Sequence, residues 1–148
     1  MQTYTIKSVT WNEAQAMLRA IREQVFIREQ HVPEALEWDG LDAEAVHLLA
    51  LDAAGNPIAT ARLLAHDGVG HLGRMAVLQD WRAKGVGAAL LKMIMVFSQQ
   101  KALKQIVLNA QTYAVGFYEK AGFCKQGEEF MDAGIPHYRM VMGGSPSD

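Results

Sequence analysis

The run Arg82-Ala83-Lys84-Gly85-Val86-Gly87 most constrains the fold, because it sits between a strand-like segment and an amphipathic helix. Upstream, His71 to Val77 reads as a strand entering the turn, with Gly73 marking a bulge or a close backbone approach. Downstream, Val86, Leu90, Met93, Ile94 and Phe97 recur at helical spacing, an apolar stripe that predicts a helix from Val86 to Gln99. The first N–H groups of a helix lack internal partners and carry the positive end of its dipole, so this arrangement is an anion site. Gly85 and Gly87 let a diphosphate approach the backbone, and Arg82 and Lys84 add positive charge at the rim. The spacing R-x-x-G-x-G is neither a P-loop, which ends Gly-Lys-Ser/Thr, nor the three-glycine dinucleotide fingerprint.

The rest of the chain alternates strand and helix signals around this unit. Tyr4 to Ser8 alternates as a strand. Thr10 and Glu13 form a capping box that opens a helix with Ala14, Met17, Leu18, Ile21 and Val25 on one face, fading between Ile27 and Gln30. Glu34 to Asp42 is acidic and less regular. Ala45 to Asp52 and Pro57 to Ala65 read as strands joined by Ala53-Ala54-Gly55-Asn56, and a second hairpin turns at Asp67 to Gly70. Gln105 to Ala110 is a short buried strand. Thr112 caps a predicted helix from Tyr113 to Ala121 that stops at Gly122, and Phe123 to Lys125 and His137 to Met142 close the sheet. The polar tail from Gly143 to Asp148 reads as frayed. The order is one α/β domain over residues 1–148, with helices on both faces of the sheet.

Composition narrows the function. A formal net charge of −2 gives no electrostatic case for a nucleic-acid partner or an anionic membrane surface. No apolar run reaches a bilayer-spanning length and no basic-then-apolar leader opens the chain, so a cytoplasmic protein is the expectation. The single cysteine, Cys124, cannot make an internal disulfide and is expected to fill the core beside Phe123. No cysteine–histidine cluster suggests a metal.

The phosphate-type loop is joined by a second pattern. Leu108-Asn109-Ala110 is followed by Ala114-x-x-Phe117-Tyr118-Glu119-Lys120-x-Gly122-Phe123. Together the two patterns resemble those of the GNAT superfamily of acyl-CoA-dependent N-acyltransferases. Arg22-x-x-Val25-Phe26-x-x-Glu29-Gln30, then Glu37-x-Asp39-x-x-Asp42, His47 and Gly134-Ile135-Pro136-His137, resemble its ElaA-like branch. The resemblance implies a mixed, mostly antiparallel sheet in which the fourth and fifth strands splay apart, with acetyl-CoA as co-substrate. It places the pantetheine arm and acetyl carbonyl along the backbone of Met75, Ala76 and Val77. It places the pyrophosphate on the N–H groups of Arg82, Ala83, Lys84, Gly85, Val86, Gly87 and Ala88, and puts Asn109 beside the cofactor arm. Tyr118 matches the tyrosine that protonates the departing sulfur, a general-acid role suited to a phenol.

The implied reaction is acetyl transfer to the primary amine of a small molecule or peptide, by direct attack within a ternary complex. Many relatives carry a glutamate on the fourth strand as base. Here that region has Arg74, which cannot accept a proton at neutral pH. His71 lies back near the strand's start, so a base acting through ordered water, or no dedicated base, stays open. His47 and His137 each could bind substrate, act as base, or serve as hydrogen-bonded structural residues. The early segment walls the acceptor pocket in the family, so Glu34, Glu37, Asp39 and Asp42 either attract a cationic amine or keep a surface loop solvated. Two alternatives stay open: a catalytically silent acyl-CoA-binding sensor, and an acyl-homoserine-lactone synthase-like enzyme. The intact R-x-x-G-x-G loop argues against the second. Homodimerisation is also left open, dimers being common in the superfamily.

Overall fold

The computed structural model describes residues 3–143, so the tail beyond Gly143 lies outside the described residues. A seven-stranded sheet carries the fold, with strands β1 (Tyr4–Val9), β2 (Val46–Asp52), β3 (Pro57–His66), β4 (Val69–Val77), β5 (Gln105–Gln111), β6 (Cys124–Asp132) and β7 (Ile135–Gly143). Their spatial order is β1-β2-β3-β4-β5-β7-β6, with every pair antiparallel except β4 and β5. Helix α1 (Trp11–Arg22) covers one face, where Leu18, Ile21 and Val25 bury against Leu49 and Ala76. Helix α3 (Val86–Gln100) covers the other, its Val86, Leu90, Leu91 and Ile94 packing on β2–β5 residues such as Leu48, Ile58 and Leu63. Between these lies a short helix α2 (Glu34–Glu37), and α4 (Val115–Lys120) follows β5. The apolar stripe that defines α3 is therefore the surface that closes the main core.

The parallel pair is what positions the site. β4 and β5 stay in register from Val69↔Gln105 to Leu72↔Leu108 and then part, leaving a V between their C-terminal halves. β4 also bulges: Thr60 faces Ala76 and Arg62 faces Gly73, so Arg74 and Met75 together oppose Ala61. The extra residue is taken up by Arg74, which adopts φ +52, not by Gly73, around which a Cβ would meet nothing within 4 Å. A left-handed non-glycine residue costs about 1–2 kcal/mol. It persists here because Arg74 is anchored by several partners described below.

Several local readings need correction. The first helical run ends at Glu29, within the expected bounds, but its last part, Glu23–Glu29, is a π-helical stretch. The capping box is present, with Glu13 N donating to Thr10 Oγ1 and Thr10 N to Glu13 Oε1. Thr112 does not cap a helix. Its hydroxyl donates to Glu129 Oε2, and Thr112–Ala114 form a 3-10 turn before α4. β6 runs to Asp132, well past Lys125, and is exposed along its whole length, so apolar alternation gave no sign of it. Cys124 lies exposed on this edge strand, and Phe123 alone turns into the core.

Candidate active site

Two clefts open from the V and share a wall. The larger, about 640 Å³, runs from Met75, Ala76 and Val77 to Arg82, Ala83 and the start of α3 at Gly85, Val86, Gly87 and Ala88. Gly85 precedes the helix with φ +84, a conformation that favours glycine, and no side chain caps the N-terminus. The N–H groups of the first helical turn therefore face the cleft as donors for an anion. Gly87 has a different role: a Cβ there would lie 3.4 Å from the Phe117 ring, so the glycine lets α4 pack close to the loop.

Strand alternation supplies the second set of main-chain groups. Leu78 N donates to Ile58 O, toward β3, so the groups of Val77 and Met75 face the opposite edge, where β5 has departed. Val77 O there accepts from Arg82 Nε at 2.8 Å, while Arg82 Nη2 meets Glu29 Oε2 at 2.8 Å. Arg82 is thus a clamp joining the loop, β4 and the π-helical stretch, as well as a charge at the rim. Lys84 stands over the Trp81 ring, 5.6 Å from its centroid, and does not line the cleft.

The smaller cleft, about 320 Å³, lies along the V on the β5 side. Its lining includes Arg74, Leu108, Asn109, Asp132 and His137, so the structure places Asn109 there and not in the larger cleft. Met75, Gln30, Tyr113, Ala114 and Tyr118 line both. Tyr118 is held by edge-on contacts with Phe117 and Phe123, and its hydroxyl donates to Met75 Sδ at 3.6 Å. Burial, with the neighbouring Tyr113 adding to it, pushes the Tyr118 phenol up to about 12. The group therefore keeps its proton throughout the neutral range, and a thioether is a weak acceptor that a stronger one displaces.

Behind the smaller cleft three arginines meet three carboxylates. Arg22, fully buried between the Trp11 and Trp38 rings, donates to Glu37 Oε2 at 2.8 Å and Asp42 Oδ1 at 2.6 Å. Arg62 grips Asp39 with two 2.9 Å bonds and reaches Asp42 Oδ1 at 3.2 Å. Arg74 donates to Glu37 O and Asp39 Oδ2, and its Nε lies 3.1 Å from Glu37 Oε2 but off the hydrogen-bonding direction. Burial pushes Glu37 up, further than Arg74 and Arg22 pull it down. For Asp39 burial acts the same way, but the Arg62 pair, the Leu41 N–H and Arg74 outweigh it and bring the carboxyl down to about 2. Glu37, Asp39 and Asp42 are therefore neither a solvated loop face nor a free cation trap, because the arginines already neutralise them. Glu34 is exposed and outside this network. Arg62 was missed in the sequence, although an arginine inside the apolar run Ile58 to Leu64 signals a buried ion pair.

The histidines separate cleanly. His47 is fully buried, lines neither cleft, and bonds through Nε2 to Asp42 O at 2.9 Å, while burial pulls its basicity down. It is a structural residue. His137 lines the smaller cleft. No helix among the described residues is long and apolar enough to cross a membrane, and none of them form a group of three or more His, Cys, Asp or Glu placed to hold a metal ion.

Comparison with known proteins places this geometry. The family model described as an acetyltransferase (GNAT) domain matches residues 3–143. An uncharacterized N-acetyltransferase of Bacillus subtilis strain 168, YjcF, is 40% identical over 122 residues, covering 82% of this chain and 86% of that protein. An acyl-CoA N-acyltransferase from Pseudomonas aeruginosa superposes with a TM-score of 0.83 at 29% identity, covering 97% of this chain and all of that one. Escherichia coli ElaA superposes with a TM-score of 0.85 at 25% identity, covering 95% of this chain and 99% of the other.

Proposed function

The chain belongs to the GNAT acetyltransferase family, and from that premise we propose that it transfers an acetyl group from acetyl-CoA to the primary amine of a small molecule or peptide. One observation carries this reading: the β4–β5 ladder opens at Leu72 and Leu108, and the two clefts beyond it meet at Met75 and Tyr118. Acetyl-CoA supplies an activated thioester carbonyl and a thiolate leaving group. The N–H groups of Val86, Gly87 and Ala88 hold its pyrophosphate at the dipole end of α3. The open edge of β4 at Met75 and Val77 pairs with the pantetheine amides, as a strand would. The acceptor enters by the smaller cleft, and acetyl is the proposed acyl group.

Tyr118 then acts as general acid. Its hydroxyl already points at a sulfur, Met75 Sδ, and stays protonated until a better acceptor arrives. The departing sulfur is that acceptor, and its capture of the phenolic proton stops the reverse attack. Because both substrates occupy adjoining clefts, direct transfer needs no acyl-enzyme. The test is free-thiol release from acetyl-CoA against polyamines, aminoglycosides, amino acids and short peptides. Turnover with one amine class, reduced by about 10²–10⁴ in Tyr118→Phe, is the expected result. Tight acetyl-CoA binding with no turnover across the panel would point to a sensor instead.

A further inference from the structure

We propose that His137 is the general base for the acceptor amine, accepting its proton at Nε2; the inference rests on the acyl-transfer reading above. An aliphatic amine is mostly protonated at neutral pH and must lose a proton before it can attack. The β4 position where a carboxylate would be looked for holds Arg74, whose guanidinium is engaged with Glu37 and Asp39. Glu37 Oε2 is itself shared between Arg22 and Arg74, which commits that oxygen to ion pairs.

His137 differs from both. Its Nδ1 lies 2.7 Å from Ile135 O, and a carbonyl only accepts, so Nδ1 carries the hydrogen and Nε2 the lone pair in the neutral ring. The ring is stacked on Phe130 across the β6–β7 pair, centroids 5.9 Å apart, which fixes its plane. His137 is 8% exposed and lines the smaller cleft. Among the described residues Nε2 has no protein partner, yet it is not walled off as the buried, unpartnered His47 Nδ1 is. The little surface His137 keeps therefore includes its basic nitrogen, and the residue lines the cleft where the acceptor is proposed to sit. The β6–β7 hairpin also brings Asp132 to that cleft, a carboxylate that attracts an ammonium group toward the imidazole. The other charged or titratable groups on this cleft are Glu37, Arg62 and Arg74 behind it, His71 on β4, and Tyr113 and Tyr118 at the shared wall.

The protons balance. The ammonium gives one proton to His137 Nε2, which passes it to solvent. The amine nitrogen forms the C–N bond as the C–S bond breaks, and the sulfur takes the Tyr118 proton. The second proton lost by the new amide nitrogen restores Tyr118 through solvent. One amide, one free thiol and one proton result.

The experiment is kcat/KM for His137→Gln and wild type, from pH 6 to 10, with one strongly basic amine and one weakly basic amine that is neutral at pH 7. A deficit of about 10²–10⁴ for the basic amine at neutral pH, shrinking as the amine deprotonates itself in bulk, is expected. The weakly basic amine should lose little, and KM for acetyl-CoA should not move. Imidazole added to His137→Ala should restore part of the rate. A deficit equal for both amines and constant with pH would overturn the proposal, as would the same pH signature in His71→Gln with His137→Gln silent. Absence of turnover by wild type with every amine would overturn the acyl-transfer reading as well. Should the variants not fold, as shown by lost acetyl-CoA binding, the wild-type ring nitrogens decide by NMR. An unprotonated Nε2 whose shift moves on acceptor binding supports the proposal, and a protonated Nε2 or one that does not respond overturns it.

Discussion

The two clefts that meet at Tyr118 are built in opposite ways. The larger runs along the open edge of β4 and the first turn of α3, where Ala76, Val77, Gly85, Val86, Gly87 and Ala88 bring main chain to its wall. The smaller is lined by side chains from β4, β5 and the β6–β7 hairpin, backed by six charges that cancel one another. Main-chain donors recognise what is constant in a substrate, which under the proposed function is the diphosphate and amides of a coenzyme. Side chains set what varies. The larger cleft is therefore suited to a partner that does not vary, and the smaller one to a partner that does.

If that contrast is right, damage to each side should read out differently. The largest effect on stability is expected from Arg22→Ala, which strands Glu37 and Asp42 in a buried site. Removing one partner of a buried pair costs about 3–5 kcal/mol, measured by urea unfolding. Gly85→Ala should cost about 1–2 kcal/mol, through backbone strain alone, since nothing lies within 4 Å of the new Cβ. Its signature is weaker acetyl-CoA binding in calorimetry with the acceptor profile unchanged. Arg82→Gln removes a half-exposed clamp and should cost about 1 kcal/mol, again mainly in coenzyme affinity.

The pH dependence separates the carboxylates by its sign. Asp39 falls from the ordinary 3.8 to about 2 in the folded protein, so its stabilisation is complete above pH 3.8 and is lost as pH falls through about 2. Asp39→Asn should flatten the stability curve across that window in acid unfolding. Glu37 is raised, so its contribution is present below its ordinary 4.5 and is lost as pH rises through its folded value. Glu37→Gln should act in the opposite sense.

The same contrast explains what could be read from the sequence. The loop and α3 are contiguous, and Gly85, the apolar stripe and the preceding strand state their geometry within thirty residues of chain. The splay of β4 from β5 followed from the family resemblance and is present at Leu72 and Leu108. Around the smaller cleft, Glu37 and His137 and, behind them, Arg22 stand in the branch pattern of the sequence, but only the tertiary fold sets them beside Arg62 and Arg74, so spacing does not show which of them meet. Arg74 shows why the local reading slipped. Glycine is the usual sign of a bulge, yet the bulge falls one residue later, because ion pairs to Glu37 and Asp39 hold an arginine in the strained conformation. β6 was cut short for a different reason, being an exposed edge with no buried face to impose alternation.

Chemistry is proposed to occur where the clefts join. This is tested most directly by single-turnover thiol release with acetyl-CoA prebound, comparing wild type with Tyr118→Phe at saturating acceptor. Acetyl-CoA affinity should be equal in the two proteins, and the single-turnover rate should fall by about 10²–10⁴ in the variant. An unchanged single-turnover rate, or a loss confined to acetyl-CoA binding, would contradict it.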